Sequence, residues 1–433
     1  MSNQDKHIHF IGVGGIGMSA LARYYLHEGW QVSGSDSTES ENTKKLESEG
    51  AEIVYNQNNT IIYDSEKEPT KNIDIIVYTE AMSPDNPEML AARQSGIKML
   101  NYFEALAEVA NEYYLIAVSG THGKTTTTAM LADILEEASY DPTLVVGSLR
   151  MKTGSNFRAG KSKYFIAEAC EYKRDFLHLK PDVLVITNLE HEHVDYYKDL
   201  ADVQNAFREL AEKVPEDGVV VTDLSQSSIK PVVEGLKCEV VDYREYLDIK
   251  RRLTQPGVYN QLNAAAAVAV ATYLGLESET IKVALENFAG TKRRFEYKGD
   301  YNNAPIYEDY AHHPTEIKAT ISAARDKYPN SKLTVVFQPH TYSRTKTLFA
   351  DFVVALSQAD RIIMMPIYAA REENQGDVSS QQIVTELQKL DKEAIHFETP
   401  EAAALEIKET VSSDDVVIVM GAGNVTQISN QLI

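Results

Sequence analysis

Short apolar runs rich in Val and Ile recur along the chain, most followed by a glycine or polar turn and then by apolar positions at helical spacing. That alternation predicts βα units and largely parallel sheets. The first unit covers residues 7–36: a strand, a glycine-rich turn, a helix to about His27, and a second strand ending at Asp36. Strands are then predicted at 51–55 and 73–78, with helices at 86–95 and 101–110. A second set has strands at 114–119 and 218–222, and two apolar runs that end in acids or histidines, at 164–171 and 182–195. Its helices are one carrying Met130, Leu131, Ile134 and Leu135, one at 205–214, and an Ala-rich one at 263–276. The span 223–256 is mixed and charged and yields no clear element. A third set has strands at 304–308, 332–337, 361–365, 394–397 and 415–420. Helices carrying Ile317, Ile321 and Ala324, and Leu348, Phe352 and Leu356, lie between them.

A chain of 433 residues fits about three domains at ~150 residues each. The pattern places them at 1–109, 110–290 and 291–433: a Rossmann-like domain, a central P-loop ATPase-like α/β domain, and a second Rossmann-like domain. A net charge of −22 argues against broad nucleic-acid or anionic-membrane binding, though not against anionic substrates held by local cations. The two cysteines, Cys170 and Cys238, make no disulfide framework and fit a reducing compartment. Met1 to Lys6 is polar, and no apolar run reaches ~18 residues, so neither a signal peptide nor a membrane span is expected.

The chemistry centres on Gly120-Thr121-His122-Gly123-Lys124-Thr125-Thr126-Thr127, between a strand and a helix. This is the context of a phosphate-binding loop. First-turn amides lack intrahelical partners and point their dipole at an anion. Lys124 can reach terminal phosphates, and Thr125 can ligate Mg²⁺. The generic G-x-x-x-x-G-K-[ST] pattern is longer: here only Thr121 and His122 separate the glycines. ATP is the expected ligand.

Gly12-Val-Gly14-Gly15-Ile16-Gly17-Met18-Ser19, with Asp36 after the second strand, matches the dinucleotide fingerprint. Its plain reading is NAD, but the geometry makes a pyrophosphate cradle and names no nucleoside. In the middle segment, strand ends carry Glu168 and His193, and a carboxylate with a neutral imidazole there can complete Mg²⁺ coordination beside ATP. His191-x-His193-x-Asp195 also resembles the opening of a metallo-hydrolase zinc run. Residue 196, however, is Tyr rather than His, and the phosphate loop already accounts for the cluster. In the third segment His312 and His340 follow strands and face one sheet edge. Asn260 and Asn263 sit near the start of the Ala-rich helix, where capping is their plain role. ATP together with a second nucleotide-like ligand suggests transfer or ligation rather than hydride chemistry.

On these motifs the chain resembles, essentially end to end, the Mur ligases, the ATP-dependent amino-acid ligases of bacterial peptidoglycan synthesis. Also carrying the resemblance are Glu168-Ala-Cys-Glu171, Thr187-Asn188, Asn263-Ala-Ala-Ala-Ala, Arg293-Arg294-Phe295, Asp309-Tyr-Ala-His-His-Pro-Thr315 and Phe337-Gln-Pro-His340. The short phosphate loop is that family's own form. The resemblance implies that the first cradle, Gly14 through Ser19 with Asp36, takes the UDP of a sugar substrate, which overturns the NAD reading. It implies an ATP site of Gly120, Thr121, His122, Gly123, Lys124, Thr125, Thr126 and Asn263, with Asn260 on the adenine side. Arg294 would meet phosphate and Asp309 the ribose. Thr125 and Glu168 would hold one Mg²⁺ and His193 a second, while His312, His340 and Arg344 would surround the acyl phosphate and the incoming amino acid.

The implied reaction is ADP-forming ligation of L-alanine to the lactyl carboxylate of UDP-N-acetylmuramate, in the cytoplasm, by a monomer or homodimer without nucleic-acid or membrane partners. A recycling ligase of the same family, joining a murein peptide to the same sugar nucleotide, is the nearest alternative. An NAD-dependent oxidoreductase and a nucleotide-binding module without turnover are remoter ones, the last opposed by the retained Lys124, Glu168 and His193. Departures from the family pattern are Glu192 in place of Asp, Tyr259 in place of His, Tyr55-Asn56 in place of Gly-His, and Thr341 in place of a basic residue. The span 223–256 looks short, which predicts a central sheet lacking peripheral strands.

Overall fold

A computed structural model describes residues 6–58, 62, 73–83, 85–193, 196–370 and 372–433. Asp195, part of the His-rich run, lies outside them. The first sheet contains β1 (His7–Ile11), β2 (Gln31–Ser35), β3 (Glu52–Val54), β4 (Ile75–Tyr78) and β5 (Lys98–Asn101). All are parallel, in the order β3-β2-β1-β4-β5. β1 is central, with Ile8, Phe10 and Ile11 wholly buried, as a parallel strand covered on both faces requires. Strand order reverses between β1 and β4, and this opens a crevice at their carboxyl ends. Helix Pro87–Ser95 starts where Asn86 Oδ1 accepts the amides of Glu88 and Met89 (2.9 and 3.2 Å), and ends at Gly96 in the left-handed region. β5 went unread because Lys-Met-Leu-Asn carries no β-branched residue.

The second sheet contains β6 (Tyr114–Ser119), β7 (Thr143–Arg150), β8 (Ser155–Arg158), β9 (Tyr164–Glu168), β10 (Val183–Ile186), β11 (Val219–Thr222) and β12 (Glu239–Asp242). Their order is β12-β11-β10-β6-β9-β7-β8, parallel except for the β7–β8 hairpin. Two expectations are corrected. The span 223–256 does supply an outer strand, β12, whose Val240 and Val241 pair with Val220 and Val221. The helix expected at 205–214 runs Leu200–Ala211, because its buried stripe is Val203, Ala206, Phe207 and Leu210.

The third sheet contains β13 (Glu296–Tyr301), β14 (Ala304–Asp309), β15 (Lys332–Phe337), β16 (Arg361–Met364), β17 (Glu393–His396) and β18 (Asp415–Met420). The last strand inserts between β14 and β15, giving β13-β14-β18-β15-β16-β17, with β13 alone antiparallel. Alternate residues feed two cores: Val335, Phe337, Ile418 and Met420 on one face, Val336, Val417, Val419 and Ile363 on the other. The helix expected to carry Leu348, Phe352 and Leu356 begins only at Phe349. A separate short helix, Tyr342–Thr347, precedes it, and Leu348 breaks the two apart.

The first two sheets belong to one compact unit that runs to Glu190 and takes in Leu200–Tyr246 and Ala266–Ala284. The third sheet belongs to another, with His191–Asp199 and Leu247–Ala265. Among the described residues no helix is long and apolar enough to cross a membrane.

Candidate functional site

In the first unit the phosphate loop leaves the carboxyl end of β6. Gly120 has φ +123°, and a Cβ there would lie 2.1 Å from Thr187 Oγ1, so only glycine fits. Gly123, at φ +88°, starts helix Lys124–Glu137 with no side-chain cap. The capless start leaves that helix's first amides for an anion. The loop is braced from the end of β10: the Thr121 and His122 amides donate to Asn188 O (3.0 Å) and Oδ1 (2.9 Å), and Asn188 Nδ2 donates to His122 O at 2.9 Å. Thr125 and Thr126 are buried in the first turn.

Lys124 Nζ donates to the carbonyls of Gly120 and Thr121 (3.1 Å for the latter) and to both oxygens of Glu171, at 3.1 and 3.0 Å. The Glu171 side chain is 3% exposed, and only a charge partner makes that burial affordable. Glu168 ends β9, in register with Val118 of β6, and so stands beside the loop. Its Oε1 accepts the Gly147 amide at 2.9 Å.

The first cradle follows β1. Gly12, at φ +83°, hydrogen-bonds to Ser35 O, and Gly15 caps helix Ile16–His27 without a side-chain bond. Gly15 and Ile16 are exposed, so the helix start is open. Asp36 Oδ2 accepts the Gly14 amide at 2.8 Å and thereby shapes the turn. Gly17 packs on Tyr102: a Cβ would come within 2.6 Å of its ring. Met18 and Ser19 are buried beneath.

In the second unit His312, His340 and Arg344 come together, and Glu192 joins them. Arg344 Nη1 lies 3.2 Å from His340 Nδ1, and Nη2 donates to Glu192 Oε1 at 3.3 Å. His312 Nε2 is 3.9 Å from the same oxygen, and the two imidazole rings meet edge-to-face at 5.8 Å. Burial, then the neighbouring His312 and Arg344, hold His340 down at about 4; burial also lowers His312. Both rings are neutral near pH 7. Thr341 caps helix Tyr342–Thr347 by accepting the Arg344 amide at 3.4 Å. Asp309 ends β14 with its carboxylate on the amides of Phe295 (2.8 Å) and Ala311 (2.7 Å), its pKa raised by burial. Arg293 and Arg294 both stack on Tyr310, at 4.9 and 5.1 Å. Asn260 donates to Pro256 O at 2.8 Å and accepts from Asn263 at 3.4 Å, so neither acts as the helix cap. His193 has φ +53°, and its carbonyl accepts the amides of Tyr196 and Tyr197.

Fold and site thus define an α/β protein with glycine cradles at the carboxyl ends of two central strands. Three family models match it in order: Mur ligase family, catalytic domain, over residues 7–114; Mur ligase middle domain over 118–246; and Mur ligase, glutamate ligase domain, over 293–423. The chain belongs to the Mur ligase family. A UDP-N-acetylmuramate–L-alanine ligase of Agathobacter rectalis is 41% identical over 457 residues, covering 99% of this chain and 97% of that protein. One from Clostridium tetani is 41% identical over 447 residues, covering 97% and 96%. The crystal structure of the Thermotoga maritima UDP-N-acetylmuramate-alanine ligase superposes with TM-score 0.81 at 29% identity, covering 98% of each chain. A murein peptide ligase of Psychrobacter arcticus shares the fold, with TM-score 0.72 at 23% identity over 99% and 98% of the two chains.

Proposed function

We infer that the chain joins L-alanine to the lactyl carboxylate of UDP-N-acetylmuramate, converting ATP to ADP and phosphate. The observation that carries this is the two-cradle first unit in a chain matched nearly end to end by alanine ligases. The domains 1–109, 110–290 and 291–433 would take the sugar nucleotide, ATP and alanine respectively. No membrane partner is needed, and a cytoplasmic setting suits ATP and the free cysteines.

A carboxylate is a poor acyl donor and must first gain a leaving group. A lactyl carboxylate oxygen attacks the γ-phosphorus, the bond to the β–γ bridging oxygen breaks, and ADP departs. Lys124, leaving Glu171, offsets the crowding of carboxylate against triphosphate, while the loop amides hold the phosphates in line. The amine of alanine then attacks the acyl carbon. The tetrahedral intermediate collapses, the acyl–oxygen bond breaks, and phosphate leaves. Arg344 suits the alanine carboxylate because its planar fork pairs with both oxygens. His312 and His340, both neutral, would surround the acyl phosphate and the incoming alanine.

Magnesium fits this donor set: the Thr125 hydroxyl and the Glu168 carboxylate are hard oxygens beside the loop. When bound, the ion neutralises phosphate charge. His193 is the candidate holder of a second ion, although imidazole suits Mg²⁺ less well than oxygen does. The test of the acyl phosphate is isotopic. Substrate carrying ¹⁸O in the lactyl carboxylate should deliver one ¹⁸O to the released phosphate; phosphate free of label would refute the mechanism.

A further inference from the structure

The β7–β8 hairpin, unpredicted from sequence, links the two cradles of the first unit. Midway along β7 the Gly147 amide donates to Glu168. At the end of β7, Arg150 is buried and ion-pairs with Asp133 and with Glu136 (2.5 Å), both on the helix that opens at the phosphate loop. On β8, Asn156 is wholly buried. Its Nδ2 donates to Ile16 O and to Ser19 Oγ (3.1 Å), and its Oδ1 accepts from Arg23. Ser19 in turn donates to Ile16 O at 3.0 Å, so Asn156 closes a hydrogen-bonded triangle on the first turn of helix Ile16–His27. The hairpin tip is tied as well, with Lys45 donating to Gly154 O at 2.8 Å, and on β8 Phe157 meets Tyr24 edge-on.

We propose that Asn156 is a positioning residue for the sugar nucleotide: carried by the ATP-side sheet, it fixes the helix start whose open amides face the pyrophosphate. The proposal rests on the functional reading above for its ligand. The physical argument is one of aim. A pyrophosphate is held by a fan of amides at a helix terminus, and a small rotation of the first turn misdirects all of them together. Among the described residues no side chain of the first sheet donates to the Ile16–Ser19 pair in this way; the donor comes from the neighbouring sheet. The same hairpin is tied to Glu168 and to the phosphate-loop helix, so the two cradles are held in one register.

The test uses the full chain with Asn156→Asp and Asn156→Ala. Aspartate keeps the volume and the Arg23 partner but loses both donated bonds. Loss of a buried bond of this kind predicts a rise in KM for UDP-N-acetylmuramate of about tenfold in either variant, with KM for ATP changed by less than about twofold. Hydrogen exchange at the Ser19 amide, which donates to Gly15 O at 2.8 Å, should speed up in the ligand-free chain, while exchange in the phosphate-loop helix should not. If Asn156→Ala fails to fold, Asn156→Asp carries the test. Wild-type KM and wild-type exchange in Asn156→Asp would overturn the proposal, and so would equal rises in both KM values. Should wild type itself refuse UDP-N-acetylmuramate, the functional reading falls, and the exchange measurement still decides what Asn156 holds.

Discussion

Lys124→Ala should do two separable things. In the structure the ammonium is shared between loop carbonyls and Glu171, with side-chain exposures of 17% and 3%. Removing it leaves a buried carboxylate without its countercharge. Breaking a fully buried pair costs about 3–5 kcal/mol. Lys124 keeps some solvent, so ~2 kcal/mol is the reasonable scale here, a Tm drop of about 4–8 °C for a unit of this size. Separately, a cation that stabilises the transferring phosphoryl group is lost, and one such electrostatic donor is worth ~10²–10³ in kcat. The double variant Lys124→Ala/Glu171→Gln distinguishes the two effects. A neutral amide in place of the stranded carboxylate should restore most of the Tm while ADP formation stays lost. Thermal melts and coupled ADP release read the two quantities. Near-normal turnover in Lys124→Ala would refute the loop assignment. A double variant as unstable as the single would refute the stranded-charge argument.

Gly120→Ala should abolish ATP turnover and destabilise the unit by more than about 2 kcal/mol, because the new methyl would press on Thr187 at a backbone angle L-residues avoid; a wild-type Tm would contradict this. Arg344→Lys should raise KM for alanine about tenfold and leave KM for ATP alone, since a point charge cannot pair with both carboxylate oxygens; unchanged alanine kinetics would remove Arg344 from that role. For acid stability the sign follows from His340, held at about 4 against an ordinary 6.5. Between those values the unfolded chain binds more protons, so stability falls as pH drops from ~6.5 towards ~4. His340→Asn should flatten that part of the denaturation-versus-pH curve; an unchanged curve would contradict it.

Strands Tyr114–Ser119, Lys332–Phe337 and Asp415–Met420 were legible to the residue, because a parallel strand buried on both faces is written as a nearly unbroken apolar run. The β7–β8 hairpin was not: Thr-Leu-Val-Val-Gly-Ser-Leu-Arg is interrupted by a glycine, and its partner Ser-Asn-Phe-Arg is polar. β13, an edge strand with Lys and Asp along it, hid for the same reason. The phosphate loop and the third-sheet His and Arg cluster could be read because local motifs carry them. Glu171 on Lys124, Glu192 on Arg344 and Asn156 on Ile16 could not, since each is a contact between segments far apart in the chain. Glu171 was the most nearly visible of these, as an acid after a strand beside a phosphate loop.

The most direct test of the central claim is ADP release from Mg-ATP and UDP-N-acetylmuramate, comparing L-alanine, the stem tripeptide and no amino component. ADP formed with alanine, and not with the tripeptide or without an acceptor, is the predicted result. ADP formed only with the tripeptide, or in none of the three by the folded chain, would contradict it.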